Sequence, residues 1–231
     1  MDWFEFWNSD KIFSFIMKKN MGFFLKNSRD IFPLSENDIV LDIGCGAGPL
    51  ADLLEVNVKE YQGVDTSSNY ITFCKQKFKT QKRNHFKILD KNNYTNLSFL
   101  STNHFTKILC MSVVQYYSSP KDIENLILQV KNISKKGAIF LIADIPVEAS
   151  TAGDTLTMLK IAFYDGYILK AVLFLFKLKF SVYPKVRSSN RVLCFKVEEL
   201  KDLIKKLDLN AEIIDQNLTL SGGRKHLLIK F

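Results

Sequence analysis

Arginine is scarce in this chain. Of its 32 basic residues in 231, only five are arginine, so the formal net charge of +8 is carried by lysine. The lysines are spread along the chain and read as a solvated surface. No RNA-binding module is appended, which argues against nucleic acid as a partner. The four cysteines, Cys45, Cys74, Cys110 and Cys194, form no C-x-x-C pair and share no metal-like spacing with the three histidines. They read as reduced thiols of a cytoplasmic protein with no metal site. Long apolar runs are missing too. The most apolar stretch, 171–176, is bracketed by Lys170 and Lys177. A membrane span needs roughly 20 apolar residues. Asp2, Glu5, Asp10, Lys11, Lys18 and Lys19 interrupt the aromatic N-terminus, so it lacks a signal-peptide core. There is no internal repeat and no low-complexity tract.

What is present is a chain that is 47% hydrophobic, enough for one full core and a single domain. Its most informative stretch runs from Val40 to Leu50. An apolar strand enters a loop with glycines at Gly44, Gly46 and Gly48, and a helix follows. Dinucleotide loops read G-x-G-x-x-G, so that backbone amides and a helix N-terminus hold a pyrophosphate. Here an acid, Asp42, stands two residues before the first glycine. A carboxylate there repels a pyrophosphate and suits the ammonium of an amino-acid tail. Three later strands also end near acids or polar residues. The segment at 61–65 ends in Asp65, that at 86–90 in Asp90, and a fifth strand at 137–144 in Asp144. Between them, 105–112 reads as a fourth strand, followed by Gln115 and Tyr116.

This pattern resembles the class I S-adenosylmethionine (SAM) methyltransferases, strongly over 38–145 and more weakly over 195–231. The resemblance implies an α/β fold: a Rossmann-like, doubly wound, mostly parallel seven-stranded sheet. It implies SAM as cofactor, held by Asp42, Gly44, Cys45, Gly46, Gly48, Asp65, Thr66, Asp90 and Met111. Asp65 would accept both ribose hydroxyls and Asp90 the adenine amino group. Each has another reading, Asp65 as a helix cap and Asp90 as a surface residue. Asp144, Gln115 and Tyr116 are the catalytic candidates. Tyr116 and Tyr117 serve equally well as packing residues. His104 lies at the wrong strand end for chemistry, and His226 sits inside the last strand, in core or surface.

Four segments follow along one domain: a helical N-terminal extension (1–37), the cofactor-binding core (38–145), a lid insertion after the fifth strand (146–195), and a final helix and strands (196–231). Ser9 is a candidate N-cap of the first helix, and Trp3 and Trp7 stand one helical turn apart, over the cleft or in ordinary packing. The lid carries Lys185, Arg187 and Arg191, two of the five arginines within five positions. Arginine's planar fork suits phosphate or carboxylate. The expected reaction is O-methylation of a small polar or anionic metabolite, such as a surface-glycan precursor, sugar nucleotide or phosphoryl compound. SAM carries its methyl on a sulfonium, so positioning supplies most of the catalysis, and a base matters chiefly when the acceptor is a hydroxyl.

The pattern also departs from the family. Thr106 stands where many members carry an acid, and Gln115 where a histidine is usual. No Asn-Pro-Pro-Tyr-type signature follows the fourth strand, which weakens amino methylation of DNA bases or protein glutamine. An RNA methyltransferase remains an alternative, as does a lipid or membrane-surface enzyme, since lysines interleave with apolar residues over 168–182 and fit peripheral membrane contact. A non-catalytic SAM-binding protein is a further one.

Overall fold

The computed structural model describes residues 11–54, 56–147, 151–180 and 192–231. Seven strands form one sheet in the order β3-β2-β1-β4-β5-β7-β6. They are β1 (Ile39–Ile43), β2 (Glu60–Asp65), β3 (Asn84–Ile88), β4 (Phe105–Met111), β5 (Ser134–Ile145), β6 (Ala211–Ile214) and β7 (Lys225–Lys230). The first five run parallel, and β7 is antiparallel to both β5 and β6. The helices are α1 (Lys11–Asn27), α2 (Pro49–Leu53), α3 (Ser68–Lys77), α4 (Pro120–Ile133), α5 (Thr151–Tyr164), α6 (Ile168–Phe180) and α7 (Val197–Lys206).

Strand residues alternate between two faces, and both faces are covered. Leu41 and Ile43 of β1 join one apolar cluster with α4 and Leu200 of α7. Val40 joins the other, with Phe24 of α1, Leu50 of α2 and Ile71 of α3. In α4 the buried Ile123, Leu126, Ile127, Val130 and Ile133 recur at helical spacing. Ser119 and Asp122 close its N-terminus, with Ser119 N donating to Asp122 Oδ2 at 2.9 Å.

The sheet order reverses between β1 and β4. In open α/β sheets ligands bind beyond the strand C-termini at such a switch point. Around that edge, α1 and the insertion after β5 form a third apolar unit. Ile16 of α1, Met158 and Ala162 of α5, Ala171 and Phe174 of α6, and Leu220 pack together. The sequence predicts one helical stretch near 154–180. The structure has two helices, because the chain turns at Asp165–Gly166, where Gly166 takes a left-handed φ of 72°. Asn20 Oδ1 accepts from Leu220 N at 2.7 Å, tying α1 to the loop before β7. α1 ends at Asn27, ahead of the stop expected at Pro33; Asn27 Nδ2 turns back onto Phe23 O at 2.7 Å.

Candidate functional site

The loop after β1 is built around three left-handed glycines, Gly44 (φ 76°), Gly46 (φ 52°) and Gly48 (φ 73°). Their surroundings differ. A Cβ on Gly44 would lie 2.3 Å from Val113 Cγ2, and one on Gly48 would lie 2.8 Å from the Phe78 ring. Packing therefore demands glycine at both. Beside Gly46 a Cβ would meet nothing within 4 Å. That face of the loop is open, and Pro49 starts α2 directly behind it.

Asp65, at the end of β2, holds this loop in shape. Its Oδ2 accepts from Gly46 N at 2.9 Å and its Oδ1 from Ser67 N at 2.8 Å. Burial raises its carboxyl pKa, and the amides of Ser67, Gly46 and Thr66 pull it back down. A carboxylate has about four lone-pair sites, and with the three amides seated about one is left for a ligand hydroxyl. The helix-cap reading is met instead by Ser67, whose Oγ accepts from Tyr70 N at 3.3 Å. Next to Asp65, a depression of about 560 Å³ opens beyond β2 and β3, lined by Thr66, Ser68, Ile88, Asp90 and Phe99 among others.

Asp42 lies beneath the loop, buried, with Tyr61 Oη donating to its Oδ2 at 2.7 Å. Burial raises its pKa to about 7, against the Tyr61 bond and with a smaller push from Asp65. The acid expected to face an ammonium is thus held mainly by its neighbour.

Across the switch point, β4 ends at Met111 and β5 kinks at Asp144. Ser112 (φ 58°) and Asp144 (φ 67°) both adopt the left-handed conformation, and Ser112 Oγ donates to Asp144 Oδ2 at 2.6 Å. Between the pairs Ile142–Leu227 and Ile145–Lys225, three steps along β5 are matched by two along β7. This bulge frees the Asp144 N–H, which donates to His226 Nδ1 at 3.1 Å. Bulges and strained residues of this kind concentrate at functional sites. Thr219 Oγ1 donates to Asp144 Oδ1 at 3.1 Å. Arg224 stands between Asp144 (3.7 Å) and Asp154 of α5 (2.8 Å), so the insertion is anchored to the sheet edge. Burial raises the Asp144 pKa, opposed by Arg224, Ser112 and Thr219. Burial drives the His226 pKa down to about 4, with the Gln216 carbonyl as a partial offset.

After β4 a 3₁₀ turn, Val114–Tyr116, carries Gln115 and Tyr116. Gln115 is buried, and among the described residues its Oε1 has no hydrogen-bond partner. The Gln115 carbonyl accepts from Leu193 N at 2.8 Å, which brings the end of the insertion onto this turn.

This geometry has known counterparts. Residues 40–137 match a family model described as a methyltransferase domain. Over that segment, somewhat under half of the chain, it is similar to methyltransferase domains, and SAM is the cofactor this similarity implies. No curated protein matches it significantly. Among solved structures, it is similar to a chain in the complex between the Haloferax volcanii Trm112 methyltransferase activator and a proposed methyltransferase. That match has 13% identity and a TM-score of 0.67, over 100% of this chain and 98% of that one. A SAM-dependent methyltransferase candidate from Methanococcus maripaludis matches at 15% identity and TM-score 0.60, over 95% and 86%. Haemonchus contortus phosphoethanolamine N-methyltransferase 2, solved with SAM, matches at 17% identity and TM-score 0.57. The match covers 84% of this chain but 38% of that enzyme, so the chain spans well under half its length. At these identities the likeness shows the fold.

The residues at this edge fit that cofactor. The open face at Gly46, the remaining lone pair of Asp65 and the depression by Thr66 and Asp90 lie side by side at the sheet edge. When bound, SAM supplies an electrophilic methyl on a sulfonium cation.

Some expected contacts are not built. Cys45 is buried, its N donates to Val64 O at 3.1 Å, and its O accepts from Gly48 N at 3.0 Å. Its backbone shapes the loop, and its side chain is turned into the protein. Met111 is packed in the cluster beneath the loop. Tyr117 is a packing residue, stacked on Tyr94 at 4.9 Å between centroids. His226 is wholly buried, and His104 pairs with Glu60 at 3.2 Å at the opposite edge. Thr106 Oγ1 donates to Asp38 Oδ1 at 2.7 Å there. Lys185, Arg187, Arg191, Ser9, Trp3 and Trp7 lie outside the described residues. Sequence reasoning missed Tyr61, Ser112, Thr219 and Arg224. All four are separated in sequence from the acids they serve, and only the Tyr61–Asp42 register along paired β2 and β1 was open to inference.

Proposed function

We propose that this methyltransferase moves the methyl of SAM onto an oxygen of a small polar or anionic metabolite. The observation that carries the reading is Gln115. Among the described residues its buried Oε1 meets no donor, on the turn beside the strained Ser112–Asp144 pair. A polar N–H or O–H elsewhere on the substrate supplies such a donor and orients it. As the new C–O bond forms and the C–S bond breaks, the proton of the accepting hydroxyl leaves to Asp144 or to water, with Tyr116 on the same turn as a second contact. Lys185, Arg187 and Arg191 supply the anion-binding group, which favours a sugar nucleotide, glycan precursor or other phosphoryl compound. Phosphoethanolamine, named for the Haemonchus enzyme, is likewise small and phosphorylated, although its acceptor is nitrogen.

Incubating the protein with labelled SAM and a metabolite extract, then identifying the labelled product by mass, tests the acceptor atom directly. Replacing Arg187 and Arg191 together with alanine is expected to leave SAM affinity unchanged. It should raise the acceptor KM by the roughly 1.5–3 kcal/mol of a charge-assisted contact. Normal turnover by the double variant would point to a neutral acceptor.

A further inference from the structure

Helix α6 has two apolar faces. Ala171 and Phe174 are buried against α1 and α5, with Leu175 and Leu178 partly buried beside them. On the opposite side, Leu169, Val172, Leu173, Phe176 and Phe180 fall on one face by their three- and four-residue spacing. All five are exposed, between 49% and 77%. By the 100° step of the helix, Lys170 and Lys177 lie along one margin of this stripe and Lys179 along the other; the Lys170 ammonium rests 4.2 Å from the Phe15 ring centroid and that of Lys179 5.9 Å from the Phe180 ring centroid. α6 contains no acid. Exposed Phe163 and Tyr164 at the end of α5 extend the apolar surface towards the hairpin turn, where Asp165 is the only acid.

We propose that this face docks the methyltransferase on an anionic lipid bilayer, with α6 lying in the plane of the interface. An apolar stripe between lysine margins is the pattern of an interfacial helix. The apolar side chains enter the acyl boundary, while the lysine stems follow them and leave the ammonium groups among the headgroups. The helix has 13 residues, about 20 Å at its rise per residue, so it cannot cross a hydrocarbon core of roughly 30 Å. No described helix is long and apolar enough to span a membrane.

Two features favour a bilayer over a protein. The five stripe residues carry no polar side-chain atom, whereas protein interfaces make about one hydrogen bond per 100–200 Å². A second copy of this chain would bring lysine margins of like charge together, in a protein of net charge +8. The proposal stands apart from the identity of the methyl acceptor. Because Arg224 links Asp154 of α5 to Asp144, the same hairpin connects the docking face to the edge of the site.

Co-sedimentation with vesicles tests it, comparing equimolar phosphatidylcholine–phosphatidylglycerol with phosphatidylcholine alone. The full-length protein is expected to pellet with the anionic vesicles and to be released by salt. Lys179→Gln should weaken that binding about fivefold, the factor equivalent to one lysine near an anionic surface. Phe176→Gln and Leu173→Gln should abolish it; both positions are exposed, so the fold tolerates the change. SAM calorimetry on the same variants should give wild-type affinity, which separates loss of docking from loss of the methyltransferase site. Wild-type protein that stays in the supernatant with anionic vesicles would overturn the proposal. So would a self-associating wild type that Phe176→Gln converts to monomer, which would assign the face to a second copy.

Discussion

Ser112 and Asp144 end adjacent parallel strands, each with left-handed backbone, and are joined by a 2.6 Å hydrogen bond from Ser112 Oγ to Asp144 Oδ2. Neither residue is glycine, so each conformation costs about 1–2 kcal/mol. The bond, the β5 bulge and the His226 acceptor hold the strain in place. Ser112→Gly should therefore be more stable than Ser112→Ala by about 1 kcal/mol, since both lose the bond but only glycine relieves the strain. Denaturant unfolding of the two variants measures the difference.

Asp144→Asn keeps a residue that accepts the left-handed conformation while removing the charge. SAM affinity should be unchanged and methyl transfer to a hydroxyl should slow by about 10²-fold or more, the scale of a general base. Unchanged kcat in single-turnover kinetics would reduce Asp144 to a structural role.

The three loop glycines should separate by measurement. Gly44→Ala places a Cβ 2.3 Å from Val113 Cγ2, so it should lower thermal stability. Gly46→Ala meets no protein atom; it should cost only the left-handed penalty of about 1–2 kcal/mol in stability while losing most SAM affinity in calorimetry. Wild-type affinity in Gly46→Ala would remove the cofactor from that face of the loop.

Asp65→Ala should weaken SAM and its demethylated product equally, by about 2–4 kcal/mol, because the ribose is common to both. It should also destabilise the unliganded protein, since the amides of Gly46 and Ser67 lose their acceptor. Sharp discrimination between the two ligands would place Asp65 near the sulfur.

Asp42 and His226 push the pH dependence of stability in opposite directions. Burial lifts Asp42 from 3.8 to about 7, so the folded chain holds an extra proton in that window and this contribution falls as pH rises through it. Burial lowers His226 from 6.5 to about 4, so the unfolded chain takes the proton first and this contribution falls as pH drops through that window. In the wild type the two slopes oppose each other, with Asp65 and Asp144, also raised by burial, adding to the aspartate side. Asp42→Asn should leave the histidine slope, up to about 3 kcal/mol lost on acidification. His226→Asn should leave the aspartate slope, up to about 4 kcal/mol lost on the way to neutral pH. Unfolding midpoints across that range check both, and parallel profiles for the two variants would contradict the assignment.

Much of this protein is legible in the chain itself. Apolar runs ending in glycine or acid place β1 to β5, and the loop at 44–48 marks the cofactor edge, because strand period, turn chemistry and glycine's left-handed freedom are local properties. Even the final helix, expected over 196–207, lies at Val197–Lys206. Which glycine is packed and which is open is not local: Gly44 answers to Val113 and Gly48 to Phe78, residues that approach only when the sheet forms. Likewise Asp42 reads as a ligand for an ammonium until Tyr61, one strand away, is seen bonded to it. The bulge at Asp144 needs the segment from 224 to 226, some 80 residues later, to supply Arg224 and His226. Sequence determined the elements and the order of their polar ends. Tertiary structure decided which of those polar groups are spent on one another, because hydrogen bonds across strands and burial depend on distances that no local pattern encodes.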